Sequence, residues 1–181
     1  NMVEYLSGPS TSTYGAKRAA LGQTAPWTDE FDKIYIEFAN EAWGCNCGYN
    51  SIPDPFTGAT FSSGTNLGRA ADYAFGKIKA APYYDGNKIK LIIGGQQVVP
   101  STQTQIELAS TNHDIVTISN YNSNMTNYQN EEVFISSLFA DPIFDTRYDS
   151  LINRSRGINS PRTTSFYETN FGSGQVAPGT P

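Results

Sequence analysis

Two glutamates sit in matched settings along the chain. Glu41 follows the run Lys33–Ala39, in which Ile34, Ile36 and Phe38 read as a buried strand. Glu168 follows the run Thr163–Tyr167, and each glutamate leads shortly into loop-forming residues. Asn40 precedes Glu41 and Trp43 follows it. A carboxylate beside an amide and an indole is poor packing material, but it suits the end of a parallel strand that opens into a cleft. Taken singly, either glutamate reads most simply as a solvated loop acid, since Glu is rarely buried. As a pair across one cleft they could hydrolyse a glycosidic bond. One, kept protonated, would act as general acid, and the other would attack the anomeric carbon or activate water. Surroundings would set the two roles, the acid nearer apolar surface and its partner's charge holding its proton longer.

The elements that must position them alternate. Met2–Leu6 is expected to be a strand ended by Ser7-Gly8-Pro9, Tyr14–Leu21 a helical turn or two, and Gln23–Glu30 a loop. After the strand at 33–38 comes a long loop, Ala42–Thr65, too long to be a mere connection. Asn66 is expected to cap a helix with Leu67, Ala70, Ala71, Ala74, Phe75 and Ile78 on one face. A strand at Lys88–Ile93 follows, ending in Gly94-Gly95-Gln96-Gln97. Ser101 then caps a short helix to about Ala109, before a strand at Asp114–Ser119 that ends in Asn120-Tyr121-Asn122. Helices are expected near 130–139 and 145–153. Five strands separated by helices imply parallel neighbours and an α/β fold, because parallel pairing requires crossovers. An open doubly wound sheet and a (β/α)₈ barrel both fit. The sheet reading lacks a G-x-G-x-x-G phosphate cradle, for which Gly94-Gly95 is too short a match.

Composition narrows the function classes. The chain has 181 residues, enough for a single domain spanning 1–181, and a formal charge of −5 with no basic run. Nucleic acid, whose phosphates call for clustered Lys and Arg, is not an expected partner. No apolar run reaches the ~18 residues of a membrane span, and no leader-like segment opens the chain. A surface rich in Tyr, Asn, Ser, Thr and Gly but only 16% charged suits a secreted, carbohydrate-active protein. Cys45 and Cys47 are one residue apart, which strains a disulfide, and two thiols with one His make a poor zinc set. No metal or cofactor is expected. Asn124 and Asn153 lie in glycosylation sequons.

Three stretches then carry a family likeness. Val3-Glu4-Tyr5-Leu6-Ser7-Gly8-Pro9, Tyr14-Gly15-Ala16-Lys17-Arg18-Ala19 and Ile36-Glu37-Phe38-Ala39-Asn40-Glu41 resemble strands three and four of the clan A retaining glycoside hydrolases, and the α-L-arabinofuranosidase type most of all. Phe166-Tyr167-Glu168 resembles the nucleophile segment of strand seven. The resemblance implies part of a (β/α)₈ TIM barrel, with strands three to seven in this chain. It implies Glu41 as acid/base, Asn40 on the hydroxyl beside the anomeric centre, and Glu168 as nucleophile. Tyr121 would hold the nucleophile through its hydroxyl, or simply pack at the rim. Trp43 would stack on a sugar face or anchor its loop. Gln96 and Gln97 would face the substrate, and His113, on the opposite rim, would be structural.

Strands one, two and eight have no counterpart, and a complete barrel needs eight strands and typically ~250 residues. Further polypeptide segments are therefore expected to complete the barrel, and residues 1–181 alone are not expected to stand as a stable enzyme. The competing reading is a non-catalytic carbohydrate-binding or surface-assembly protein that keeps the barrel. A weaker third is a flavodoxin-like or Rossmann binding module.

Overall fold

Alternating apolar residues build the centre of the molecule, a four-stranded sheet. The structure, a computed structural model, describes residues 1–39, 63–96, 100–122 and 163–171. Three short helices come first: α1 (Met2–Ser7), α2 (Thr13–Ala20) and α3 (Trp27–Glu30). Then follow β1 (Ile34–Glu37), α4 (Ser63–Lys79), β2 (Ile89–Gln96), α5 (Pro100–Ala109), β3 (Ile115–Asn122) and β4 (Thr163–Phe171). The strands are all parallel and run β1-β2-β3-β4 in sequence order.

Among the described strands that order has no switch point, unlike a doubly wound sheet, where strand order reverses. One face of the sheet is apolar. Ile36 of β1, Ile89, Leu91 and Ile93 of β2, and Val116 of β3 pack with Leu67, Ala71 and Phe75 of α4 and Ile106 of α5. The two described crossover helices, α4 and α5, thus cover the same face. Burying a side chain such as Phe75 or Leu91 contributes ~1.5–3 kcal/mol. Helices α4 and α5 approach closely because Gly68 has no Cβ; one built there would collide with the Ile106 carbonyl and Ala109.

Several expectations need correction. Met2–Leu6 is helix, not strand. Asn1 accepts a hydrogen bond from the Glu4 amide at 3.5 Å, a capping arrangement, and only Val3 of this segment is buried. The described strands therefore number four, and the first of them is the one that precedes Glu41. The loop expected at Gln23–Glu30 contains α3. Asn66 does not cap α4 but lies buried inside it, three residues past its start. Ser101 is likewise internal, since α5 begins at Pro100, whose fixed φ and missing N–H suit a first helical position. The expected loop at 42–65 falls mostly outside the described residues, as do the helices near 130–139 and 145–153, both cysteines and both sequons.

The amino end of the sheet is stitched with polar contacts. The Leu91 amide donates to Asp114 Oδ2 at 2.9 Å, while the Asp114 amide donates to the Leu91 carbonyl at 2.8 Å. Lys79 pairs with Asp114 at 3.4 Å. His113 is buried there, its Nδ1 3.1 Å from Ser110 Oγ, in keeping with a structural role. Before the sheet, Arg18 is fully buried and donates to the carbonyls of Tyr5, Gly8, Gln23 and Thr24, tying α1, α2 and the following loop together.

Candidate active site at the carboxyl end of the sheet

The opposite, carboxyl end is built differently. β1 delivers its chain through Phe38, whose amide still donates to the Ile92 carbonyl at 3.1 Å. The Phe38 ring meets Phe75 of α4 edge-on, with centroids 6.1 Å apart, which anchors the strand end to the helix layer. The next residue, Ala39, has φ of 61°, a left-handed conformation that costs a residue with a Cβ about 1–2 kcal/mol. Strain of this kind persists only where the surroundings impose it, and it gathers at functional sites. Here it comes directly before Asn40 and Glu41.

Register places the other strand ends against one another. Glu37, Ile92, Ile115 and Thr163 share one rung of the ladder. Four residues further on, Gln96 pairs with Ser119. Between β3 and β4 the register then slips: Ile118 pairs with Phe166, but Asn120 pairs with Thr169. Two residues of β4, Tyr167 and Glu168, therefore stand where β3 has Ser119 alone. Such a bulge bends its strand and is common next to active sites, where it re-aims a side chain. Tyr121 follows one residue later, paired with Asn170.

Of the residues singled out from the sequence, Gln96, Tyr121 and Glu168 thus lie at the same end of one sheet, on three adjacent strands. Asn40, Glu41, Trp43 and Gln97 lie outside the described residues. The strands run further into polar sequence than alternation suggested, through Gln96, Asn122 and Phe171.

One residue of this region was missed. Glu37 lies on the sheet face turned away from the helices, since its neighbours Ile36 and Phe38 pack toward them. It is half-buried, and its Oε1 is enclosed with no hydrogen-bond partner among the described residues. Burial pushes its carboxyl up from the ordinary 4.5 to about 6. The alternation of Ile34 and Ile36 with Tyr35 and Glu37 was the available signal. Thr117, two residues beyond Ile115 on the same face, is buried, with its hydroxyl unpartnered among the described residues. Among the described residues there is no group of three or more His, Cys, Asp or Glu able to hold a metal ion, and no helix is long and apolar enough to cross a membrane.

The architecture is that of a parallel α/β protein whose strand ends carry polar and acidic residues. Among solved structures, the fold is similar to that of the α-L-arabinofuranosidase from Thermotoga maritima, determined as an arabinose complex, with a TM-score of 0.58 and 16% identity. The match covers 94% of this chain and 32% of that one, so the chain spans about a third of the length of the enzyme it matches. At this identity the likeness shows the fold alone. No protein-family model matches the chain, and no curated protein matches it.

Proposed function

We propose that the chain forms a sector of a (β/α)₈ barrel and carries both catalytic carboxylates of a retaining glycoside hydrolase. The observation that carries this reading is the bulge at Tyr167–Glu168, set on the rung that Glu41 would reach. Counting four residues on from the Glu37 rung brings β2 to Gln96, β3 to Ser119, β4 to the bulge and the sequence to Glu41. A singly wound sheet with its two described crossover helices on one face is the arrangement a barrel requires. The face turned from the helices carries exposed Tyr35 and half-buried Glu37, as a barrel lumen awaiting further polypeptide segments would. The similarity to an arabinofuranosidase over nearly the whole chain adds support for a carbohydrate substrate.

In this mechanism the Glu168 carboxylate attacks the anomeric carbon. The bond from that carbon to the leaving oxygen breaks as Glu41 gives that oxygen its proton, leaving a glycosyl ester on Glu168. Glu41, now a carboxylate, takes a proton from water; the water oxygen bonds to the anomeric carbon, the ester bond breaks, and Glu168 is regenerated. Asn40 would hold the hydroxyl next to the anomeric centre, Trp43 would stack on the sugar, and Gln96 and Tyr121 would line the rim.

The test uses this chain together with the segments that close the barrel, assayed on 4-nitrophenyl α-L-arabinofuranoside and an arabinose disaccharide. Glu168→Gln is expected to abolish hydrolysis of both. Glu41→Gln should spare the nitrophenyl substrate much more than the disaccharide, because a good leaving group needs less protonation. A 2-fluoro glycoside should leave its sugar covalently on the peptide containing Glu168. Sugar binding with no turnover of any glycoside would refute the hydrolase and leave a carbohydrate-binding protein.

A further inference from the structure

We infer that Gln103 of α5 is a positioning residue, wedged against Gly95 so that it fixes the carboxyl end of β2 and with it Gln96 on the rim. The substrate role of Gln96 rests on the hydrolase reading; the wedge itself does not. Gly95 belongs to the helix-facing side of β2, in alternation with Leu91 and Ile93, where a hydrocarbon side chain would be the ordinary choice. Gln103 stands there instead, only 1% exposed, with Glu107 one turn further along α5 at 2%.

Polar side chains buried in this way are not selected by apolar packing. Gln103 Nε2 donates to Glu107 Oε1 at 2.8 Å, which holds the amide plane in one orientation. Its Oε1 has no hydrogen-bond partner among the described residues. That oxygen presses so close to Gly95 that a Cβ built there would overlap it. A planar, tethered amide therefore fills the space of a missing side chain and sets how near α5 the tip of β2 lies. The next residue along the strand is Gln96, paired with Ser119 beside the β4 bulge.

Gly95→Ala, Gln103→Ala, their double variant and Gln96→Ala test the wedge, each in this chain together with the segments that close the barrel. Without substrate, Gly95→Ala is expected to speed amide exchange at residues 94–96 about tenfold through local opening, and the double variant to return it near the parent value. Gln103→Ala alone, which removes the wedge without a clash, should also speed exchange there. With 4-nitrophenyl α-L-arabinofuranoside, Gly95→Ala should raise KM about tenfold at little change in kcat, as Gln96→Ala should, and the double variant should recover it. Unchanged exchange in both single variants, or no recovery in the double, overturns the inference. Should the parent hydrolyse no glycoside, the exchange measurements still decide for or against the wedge, and it is the hydrolase reading that fails.

Discussion

Replacing Glu37 by Gln isolates the contribution of one half-buried carboxyl to stability. Its folded-state value of about 6 lies above the ordinary 4.5, because burial disfavours the charged form and Oε1 has no partner among the described residues to offset that. The folded protein thus binds this proton more tightly than the unfolded chain. The contribution to stability is complete below pH 4.5, falls as pH rises toward 6, and is lost above it. At 1.36 kcal/mol per pH unit the full difference is ~2 kcal/mol; a side chain that is only partly buried is screened by solvent, which brings it to ~1 kcal/mol. The amide keeps the shape of the protonated acid and never ionises. Glu37→Gln should therefore match the parent near pH 4 and exceed it by ~1 kcal/mol near pH 7.5, a rise of ~2–4 °C in Tm for a chain of this size. Urea unfolding at the two pH values reads the difference. A variant less stable than the parent at the higher pH would mean that the carboxylate has a favourable partner, and an equal shift at both would mean that ionisation of Glu37 does not set the difference.

Arg18→Met should lose about 3 kcal/mol or more in urea unfolding, because it strips the charged donor from four backbone carbonyls. Arg18→Lys should recover little of this, since one ammonium cannot span the fork. At Ala39, a β-branched residue tolerates φ of 61° poorly, so Ala39→Val should cost a further ~1–2 kcal/mol, whereas Ala39→Gly should be neutral or slightly stabilising. Equal losses for both would show that the Ala39 methyl, not its backbone conformation, matters there.

The parallel sheet could be read from the sequence because alternation survives wherever one face packs on helices. Ile34 and Ile36, Leu91 and Ile93, and Val116 mark their strands by spacing alone. The same logic failed at the strand ends, where Gln96, Asn120 and Glu168 read as loop: there the neighbouring ladder, which no local pattern reports, extends the strand. Met2–Leu6 was misread for a different reason. Its β-prone Val and Tyr outweighed the capping pair Asn1 and Glu4, yet among the described residues no strand lies beside it to make it a sheet edge. Near the start of α4, Gly64 and Gly68, four residues apart on one face, fit against α5, and the partner they meet there is a tertiary contact that the local pattern does not name. Glu37 was visible in the alternation but overshadowed by Glu41, whose loop setting looked more like chemistry.

The distance between the two proposed catalytic carboxyls is the sharpest geometric consequence of this arrangement. β1 and β4 are the outer strands of the described sheet, three neighbours apart. At ~4.8 Å per neighbour the backbones lie ~14 Å apart along the sheet, too far for two glutamates working on one bond if the sheet were flat. In the proposed barrel, curvature would turn that arc into a shorter chord and would let both side chains reach into one lumen. Two glutamate side chains spanning several ångströms each would then leave the ~5–5.5 Å that a covalent glycosyl intermediate requires. The bulge fits this geometry, since the extra residue at Tyr167–Glu168 increases the twist of β4 at the level where the two walls must meet. A crystal structure of this chain together with the segments that close the barrel should show that separation. Carboxyls ~6.5–9.5 Å apart would point to inversion, with water as the direct attacker, and a larger gap would end the case for a shared glycosidic bond.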